Sequence, residues 1–415
     1  MAPLAIGVVG CGVAGQAAAI LAAGDGHDVT LFERFPTPRP VGAGLLLQAT
    51  GQRALQRLGL LDGARALGER IDGIDAHTRR GRVVLHLRYE TLAPGMAGLG
   101  IHRGALFQLL HDRLRATPTR LELGVEIAGI EETARPRLRL ADGGARGPFD
   151  VLLVADGAHS ALRAAHAPRH AARLYPWGCL WATVPDPEGR FAGRLRQRVR
   201  DTRVMLGALP VGRRPGDPEA AREVTLFWSL PVAAMDACRA RGLDALKADM
   251  RAEWPDLAGP LERVASFDQL SMATYRDVRL SRWRAGRAVF IGDAAHGTSP
   301  QLGQGANMAL LDALALTTAL RQRDGDGEAA IDAALDRAEA WRRPHTDAFG
   351  RISQMLTPFY QSRLAPLGWA RDLAFGPFCA LPPTRNLMLS VLGGVRRGWI
   401  GRFPMAADGM PELPY

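Results

Sequence analysis

The chain opens with a continuous apolar run followed by a glycine-rich turn. Residues 4–9 carry no charged side chain, which is typical of a strand buried on both faces of a parallel sheet. Residues 16–23 are rich in alanine and predict a helix, which the glycine-containing turn at residues 24–26 ends. Residues 28–32 predict a second strand, and Glu33 follows it directly. Together these segments predict a βαβ unit.

Helical and strand patterns alternate through the remaining sequence. Apolar residues recur with helical spacing in residues 51–67, 103–115 and 232–254, and again from about residue 307. The strand patterns predict a hairpin in 71–87, two or three strands in 120–139, and single strands at 151–155, 178–184, 204–209, 224–230, 264–270, 273–277 and 288–291. After residue 342 the only strand-like pattern lies near 387–392, so a mainly helical cap is predicted there.

This order of elements predicts an α/β fold in which a β-rich segment interrupts a nucleotide-binding domain. The nucleotide-binding domain is expected to combine residues 1–72, 101–172 and 275–345. The inserted sheet is expected to take a hairpin from residues 73–100 and further strands from 173–274. The helical cap is expected to cover 346–415.

The composition narrows the functional classes. Basic residues number 52 and acidic residues 42, which gives a net charge of +10, but the basic residues are scattered along the chain. Because no concentrated basic stripe is present, nucleic-acid binding is not expected. The four cysteines form no CxxC pair, so neither a disulfide framework nor a metal site is predicted, and a reducing cytoplasmic location is expected. No transmembrane segment is expected, because no apolar stretch is long enough.

The glycine-rich turn has the spacing of a dinucleotide-binding fingerprint. Gly10 permits the tight turn from strand to helix, Gly12 lets a pyrophosphate approach the backbone, and Gly15 lets the helix pack on the strand. The free N–H groups at the start of the helix favour phosphates. Glu33, at the end of the second strand, can accept hydrogen bonds from both ribose hydroxyls. With strand, helix, strand and acid all in place, a dinucleotide site is predicted.

A second motif occupies residues 286–307. Asp293 follows a predicted buried strand, where ligands bind in α/β folds, and it can accept hydrogen bonds from a sugar-alcohol chain. Residues 303–307 open a long predicted helix, and its free N–H groups suit a buried electron-rich acceptor such as a reduced flavin. His296 has the chemistry of a general base, but a structural role in its turn is the preferred interpretation.

A third motif follows the predicted strand at residues 151–155. Asp156 and Gly157 end that strand, and Ser160 and Arg163 lie on the next turn. Alone, this pattern also fits a capped helix after a strand. Together with the other two motifs it is much more specific.

The three motifs, in this order and at these separations, resemble the flavoprotein monooxygenases of the para-hydroxybenzoate hydroxylase type. The resemblance covers residues 4–163 and 275–345, and it implies a Rossmann-like, glutathione-reductase-like FAD-binding domain with the inserted sheet as substrate domain. It implies cofactor contacts from Gly10, Gly12, Val13, Ala14, Gly15, Glu33, Arg34, Arg39, Arg103, Asp156, Asp293, Pro300, Gly303, Gly305, Ala306 and Asn307. Pro300 and Gln304 are the implied catalytic residues, because their segment lines the isoalloxazine in this family.

By the same resemblance, the protein is expected to be an FAD-dependent monooxygenase that uses NAD(P)H and O₂. Reduced FAD and O₂ would give a C4a-hydroperoxide, whose distal oxygen passes to a phenol-like small-molecule substrate. No second glycine fingerprint is present, so the pyridine nucleotide is expected to bind transiently across Asp156, Arg163 and Arg39. NADH and NADPH are not distinguished. A monomer or a homodimer is expected.

The C-terminal region carries a weaker resemblance. Residues 350–360 and 390–397 are similar in layout to the tail of ubiquinone-pathway ring hydroxylases, which act on lipophilic phenols near a membrane. Trp399, Arg396, Arg397 and Arg402 could then form a peripheral membrane patch. A cap helix that packs its apolar side on the FAD-binding domain is the preferred interpretation.

Two other functions stay open. One is a flavin-dependent halogenase or a flavin dehydrogenase acting on a lipophilic substrate, although Trp177 and Trp181 do not have the spacing of the tryptophan-halogenase motif. The other is a flavin-holding protein without chemistry. Five residues of the predicted sheet could face a substrate, although core or surface positions are preferred for them: Tyr175, Trp177, Trp181, Trp228 and Arg203.

Overall fold

The computed structural model describes residues 1–38, 44–167, 169–214 and 221–415. Its first layer is a six-stranded sheet, parallel apart from one edge pair. From edge to edge its strands are Arg284–Ala285, Ala288–Phe290, Val151–Val154, Ala5–Val9, Asp28–Glu33 and Arg120–Leu123. The central strands are apolar throughout because helices cover both faces of the sheet.

Helices from the N-terminal half of the chain and from residues 293–356 pack around this sheet. They are Val13–Gly24, Ala49–Arg57, Leu61–Leu67, Arg103–Arg115, Ala161–His166, Asp293–His296, Gly305–Arg321 and Glu328–Leu356. The helices Val13–Gly24 and Gly305–Arg321 bury most of their residues, because they pack on each other and each also packs on a further helix. The carboxyl ends of the central strands therefore meet two helix N-termini at one edge of the sheet.

A seven-stranded sheet forms the second layer. Its strands, in spatial order, are Ser271–Leu280, His170–Pro185, Glu223–Pro231, Val204–Gly212, Arg194–Arg200, Gly73–Thr78 and Val83–Arg88. Side chains alternate between its two faces. Leu180 and Leu226 pack under the helices Met235–Arg241, Leu243–Glu253 and Ala258–Glu262. Cys179 and Phe227 lie on the other face, in one cluster with Leu302 and Met308.

Smaller elements join the two layers. A three-stranded sheet of Gly44–Leu47, Gly98–His102 and Glu69–Ile71 packs against the larger sheet, and a second one comprises Ala145–Arg146, Arg137–Leu140 and Ile127–Glu131. The C-terminal helices are Ala365–Ala380 and Pro382–Leu392. The α/β fold with an additional sheet and a helical C-terminal region is confirmed.

Two predicted strands are wrong. Residues 264–270 form no strand, because their backbone donors bond locally: the Leu270 N–H donates to the Phe267 carbonyl at 2.9 Å and the Ala265 N–H to the Gln269 side chain at 2.6 Å. Residues 387–392 belong to a helix that prolines start at its first turn, where no N–H donor is needed. Two predicted helices are each divided, at residues 58–60 and at Gly242, whose φ is +89°.

No helix in the described ranges is long and apolar enough to cross a membrane. Across the same ranges, no group of three or more His, Cys, Asp or Glu side chains is arranged to hold a metal ion.

Candidate functional site

The glycine-rich turn contains two glycines that the fold requires and one that it does not. Gly10 has φ +104°, and a Cβ there would lie 2.5 Å from the Ala155 carbonyl oxygen. A Cβ on Gly15 would lie 1.9 Å from the Gly10 carbonyl oxygen. Gly12 is exposed, has an ordinary extended backbone, and its Cβ would meet no atom within 4 Å. The space above Gly12 is therefore open to a ligand.

Hydrogen-bond donors surround this open space. The first helical bond of Val13–Gly24 runs from the Gln16 N–H to the Gly12 carbonyl at 3.0 Å. The N–H groups of Gly12, Val13 and Ala14 donate to no acceptor in the described part of the chain. Free donors at a helix N-terminus form an anion site.

Glu33 lies beside the same turn. Its Oε2 accepts the Cys11 N–H at 2.8 Å, and its Oε1 accepts the Phe35 N–H at 3.1 Å. Each carboxylate oxygen keeps further acceptor capacity for a ribose hydroxyl. Burial, and then the Glu33 charge, raise the pKa of the Cys11 thiol to about 12, so this cysteine stays protonated and is no nucleophile.

Asp156 has an unsatisfied buried oxygen. Its Oδ1 has no hydrogen-bond partner, and burial raises the pKa of this carboxyl although Ser160 and Arg163 act in the opposite direction. A buried acceptor without a donor is costly unless a ligand supplies one. Asp156 therefore suits a hydroxyl-bearing cofactor.

Arg163 does not fit its expected role. Its side chain is only 3% exposed and donates to the Ala158 carbonyl at 2.8 Å and the Ala294 carbonyl at 3.2 Å. It joins the turn after Asp156 to the turn that carries Asp293. The expectation that a pyridine nucleotide contacts the Arg163 side chain is therefore wrong, because that side chain is buried and already bonded within the protein.

Asp293 presents a free carboxylate at a helix start. It is exposed although Gly292 and Ala294 beside it are buried, and its side chain has no hydrogen bond among the described residues. A Cβ on Gly305 would lie 3.8 Å from its Oδ1. The N–H groups of Gly305 and Ala306 also have no acceptor in the described ranges. An acceptor and a set of donors thus lie together in one crevice.

Gln304 and Asn307 turn their side chains into the protein. Gln304 is 3% exposed, and its Nε2 donates to the Leu392 carbonyl at 2.9 Å. The Asn307 Oδ1 accepts the Gln48 N–H at 2.9 Å, and its Nδ2 donates to the Gly303 carbonyl at 3.0 Å. These amides position the start of the helix, so Asn307 can serve a cofactor only through its backbone N–H.

Pro300 begins a short 3₁₀ turn, Pro300–Leu302, and is half-buried. Gly303 follows with φ +61°, a left-handed conformation that favours glycine. This turn leads directly into the helix Gly305–Arg321, whose first N–H groups are free among the described residues. The segment from Pro300 therefore forms one wall of the crevice beside Asp293.

A buried network that the sequence patterns did not reveal supports this wall. Asp312 accepts the Gly292 N–H at 2.9 Å and a short hydrogen bond from the His296 Nε2, and its other oxygen accepts the Arg342 Nε at 2.9 Å. Arg342 also donates to the Tyr415 hydroxyl at 3.3 Å. His296 is 7% exposed, in agreement with its predicted structural role. The network fixes the turn that projects Asp293.

The three expected arginines differ in their surroundings. Arg103 is exposed at the first position of its helix and forms no ion pair with any described residue. Arg34 is exposed and lies over the Phe35 ring at 4.7 Å. Arg39 lies outside the described residues.

A second cationic group adjoins Asp156. Arg276 donates from its Nε to the His159 Nδ1 at 3.1 Å. Desolvation, followed by the charges of Arg276, Arg163 and Arg34, lowers the pKa of His159. The neutral imidazole and the exposed Arg34 therefore lie in a positive field that favours an anionic ligand.

Aromatic side chains line the inner face of the large sheet. Trp181 packs against Phe227 with ring centroids 5.0 Å apart, and its Nε1 donates to the Tyr275 hydroxyl at 3.3 Å. These rings belong to the same apolar cluster as Leu302 of the crevice wall. Trp228, in contrast, packs on the opposite face of the sheet. A packed aromatic cluster thus lies beside the crevice wall, and of the predicted sheet residues Trp181 is the one that joins these rings.

Comparisons with known proteins agree with this geometry. A family model described as FAD binding domain matches residues 4–352. The chain is 33% identical over 361 residues to 6-methylpretetramide 4-monooxygenase of Streptomyces rimosus, covering 84% of this chain and 82% of that protein. It is 33% identical over 362 residues to 3-amino-4-hydroxybenzoate 2-monooxygenase of Streptomyces cremeus, covering 85% and 86%.

Solved structures share the fold. Klebsiella pneumoniae HpxO complexed with FAD and uric acid superimposes with a TM-score of 0.77 at 21% identity, over 94% of this chain and 97% of that one. The 2-methyl-3-hydroxypyridine-5-carboxylic acid oxygenase gives a TM-score of 0.74 at 22% identity, over 89% and 96%. The extent of the family match and the identity to the two Streptomyces enzymes mean that the chain belongs to the family of FAD-dependent aromatic hydroxylases.

Proposed function

We propose that this protein hydroxylates a phenol-like aromatic substrate with NAD(P)H and O₂. In the balanced reaction, substrate–H, NAD(P)H, H⁺ and O₂ give substrate–OH, NAD(P)⁺ and water. The observation that carries this proposal is that the free Asp293 carboxylate and the free helix N–H groups lie together, beside a packed cluster of aromatic side chains. A simple nicotinamide dehydrogenase does not need the second motif, residues 286–307, which contains Asp293 and the start of the long helix.

The residues of the glycine-rich turn, Asp156 and the crevice at Asp293 together fit FAD. Gly12 and Glu33 suit the adenosine and pyrophosphate half, Asp156 suits a hydroxyl-bearing part, and Asp293 suits the ribityl chain. The N–H groups of residues 305–307 suit the electron-rich edge of the ring. When bound and reduced, FAD supplies the electrons that activate O₂.

The aromatic cluster favours an aromatic substrate. Trp181 and Phe227 offer apolar ring surfaces that stack on a flat molecule. Burial and the neighbouring Cys179 raise the pKa of the Tyr275 hydroxyl, which therefore remains protonated near neutral pH. The related enzymes named above act, by name, on 6-methylpretetramide and 3-amino-4-hydroxybenzoate. A flat aromatic ring bearing a hydroxyl group fits these surroundings.

The pyridine nucleotide is proposed to bind over Asp156. Arg276, which donates to the His159 Nδ1, and the neighbouring Arg34 supply positive charge for the phosphates. A phosphate bound there also favours protonation of His159, and the charged imidazole then strengthens the binding of the phosphate. Arg39 stays a prediction for the same contact.

We keep the division into a three-part FAD-binding domain, an inserted substrate sheet and a helical cap as part of this proposal. The six-stranded sheet takes its strands from 1–72, 101–172 and 275–345. The seven-stranded sheet draws mainly on 73–100 and 173–274. The strand Ser271–Leu280 and the helix Glu328–Leu356 each run across a proposed boundary, so neighbouring units share an element.

A paired glycine substitution tests the FAD site. Gly12→Ala adds a methyl group that meets no protein atom, so the apoprotein should keep its stability while the affinity for FAD falls by about tenfold to a hundredfold through overpacking against the cofactor. Gly15→Ala should instead destabilise the apoprotein, because its methyl group meets the Gly10 carbonyl. FAD titration and urea unfolding of both variants separate the effects. Unchanged FAD affinity in Gly12→Ala would contradict the placement.

The reaction itself is tested with a panel of phenols, including 3-amino-4-hydroxybenzoate. The FAD-loaded enzyme should oxidise NAD(P)H faster with an accepted phenol, and one oxygen atom from isotopically labelled O₂ should appear in the organic product. Release of hydrogen peroxide alone with every phenol would reject hydroxylation. The alternative, a halogenase, is not favoured by the relatives, which are named monooxygenases. A halogenated product formed from halide and externally reduced FAD would support it.

A further inference from the structure

The first C-terminal helix and the start of the second expose only apolar residues. The exposed positions between residues 364 and 387 are all Leu, Ala, Pro, Trp or Phe. The large side chains among them are Leu364, Trp369, Leu373, Phe378, Leu381 and Leu387, between 41% and 64% exposed. Trp369, Leu373 and Pro377 recur every four residues along one side of the first helix, and we refer to this exposed apolar side as the apolar face. A solvated surface helix shows polar residues on its outer side. An outer side that is apolar indicates a site of interaction with an apolar surface.

The charged residues of this helix turn inward. Arg371 is fully buried and donates to the carbonyls of Asp201 and Phe359, each at 2.8 Å, and to the Asp372 carboxylate at 2.7 Å. The charged side chains of the helix are therefore used in its contact with the rest of the protein. The outer side of the helix is left with apolar side chains.

The segment of chain that carries the apolar face is basic. Residues 363–402 contain a single acidic residue, Asp372, which Arg371 already pairs. Their arginines are Arg363, Arg371, Arg385, Arg396, Arg397 and Arg402. The segment after the second helix adds two more exposed apolar side chains, Trp399 at 49% and Ile400 at 91%.

We propose that the apolar face, with the arginines of its own segment other than the buried Arg371, docks on an anionic lipid surface. A helix that buries an apolar face at a bilayer interface, with Trp and Arg at its margins, has this composition. Each arginine near an anionic bilayer adds to the attraction. The helix Ala365–Ala380 is too short and too proline-interrupted to cross a bilayer, so it would lie in the interface.

A second copy of the chain fits less well. In a two-fold symmetric contact the same patch meets itself, so arginines would approach arginines with Asp372 already paired. Anionic headgroups remove that repulsion. The charge complementarity therefore favours lipid over self-association.

The test is flotation of the full-length FAD-loaded enzyme with vesicles. Wild type should float with phosphatidylcholine vesicles containing phosphatidylglycerol, less with phosphatidylcholine alone, and less at high salt. The double variant Trp369→Ser/Leu373→Ser should partition at least about tenfold more weakly. The matched control, Leu174→Ser/Met272→Ser, removes side chains of 50% and 56% exposure elsewhere and should float as wild type does.

Visible absorbance of bound FAD in each variant shows that it is folded. Wild-type protein that stays with the soluble fraction, or Trp369→Ser/Leu373→Ser that floats like wild type, would overturn the proposal. Light scattering without vesicles supplies the remaining outcome: a wild-type dimer that this double variant converts to a monomer assigns the face to a second copy instead. None of these readouts depends on the proposed reaction.

Discussion

Asp293→Ala is expected to yield a folded but largely colourless protein. The carboxylate is exposed and has no hydrogen bond among the described residues, so its removal breaks no hydrogen bond of the apoprotein. With FAD bound, two charge-assisted hydrogen bonds to ribityl hydroxyls would be lost, at about 1.5–3 kcal/mol each. The dissociation constant for FAD should therefore rise by at least about a hundredfold. Visible absorbance after purification and fluorescence titration of the apoprotein measure this change.

Two controls sharpen this result. Asp293→Asn keeps an acceptor oxygen but removes the charge, so its FAD affinity should fall between those of wild type and Asp293→Ala. Asp268→Ala removes a carboxylate that is 87% exposed and distant in the fold, and it should leave FAD binding unchanged. Full FAD occupancy in Asp293→Ala would show that this carboxylate does not hold the cofactor.

The parts of the fold that sequence patterns predicted are those that local chemistry determines. The first strand, the turn and the helix follow from an apolar run and from glycines whose neighbours in sequence also touch them in space. Gly15, for example, contacts the Gly10 carbonyl. Asp293 was found in the same way, because a strand end and a helix start fix its position within a few residues. Such sites need no knowledge of distant contacts.

The parts that escaped prediction depend on contacts between distant residues. Arg276 meets His159, 117 positions away, and no pattern in either segment indicates the pairing. Asn307 was expected to contact the cofactor, and its side chain instead bonds with Gln48 and Leu46, far along the chain. A strand was expected at residues 264–270 from β-prone residues, but local hydrogen bonds and packing under the helices took precedence.

The network around Asp312 is the clearest case, because its members, Asp312 included, come from four separate segments of the chain. Burial alone would raise the pKa of Asp312, but the charges and hydrogen bonds of His296 and Arg342 outweigh it and hold the pKa below its usual value. The carboxylate is thus ionised and wholly buried, with Arg342 as its permanent counter-charge. Since Asp312 also accepts the Gly292 N–H, the stability of the fold and the position of Asp293 depend on the same group.

Arg342→Met should therefore reduce stability and FAD binding together. Removing one partner of a buried ion pair leaves the other uncompensated, and we expect a loss of about 3–5 kcal/mol in the free energy of unfolding, measured by urea denaturation. The double variant Asp312→Asn/Arg342→Met removes both charges and keeps an oxygen for the Gly292 N–H, so it should lose less than the two single variants combined.

The surface pair of Arg120 and Asp28 provides the control. Both side chains are more than half exposed, so Arg120→Met should cost at most about 1 kcal/mol and leave FAD affinity unchanged. If Arg342→Met cost no more than Arg120→Met, the ion pair would contribute no more than a surface contact. If Arg342→Met lost stability but bound FAD as wild type does, Asp312 would support the fold without positioning Asp293. A joint loss is expected because one carboxylate carries both hydrogen bonds.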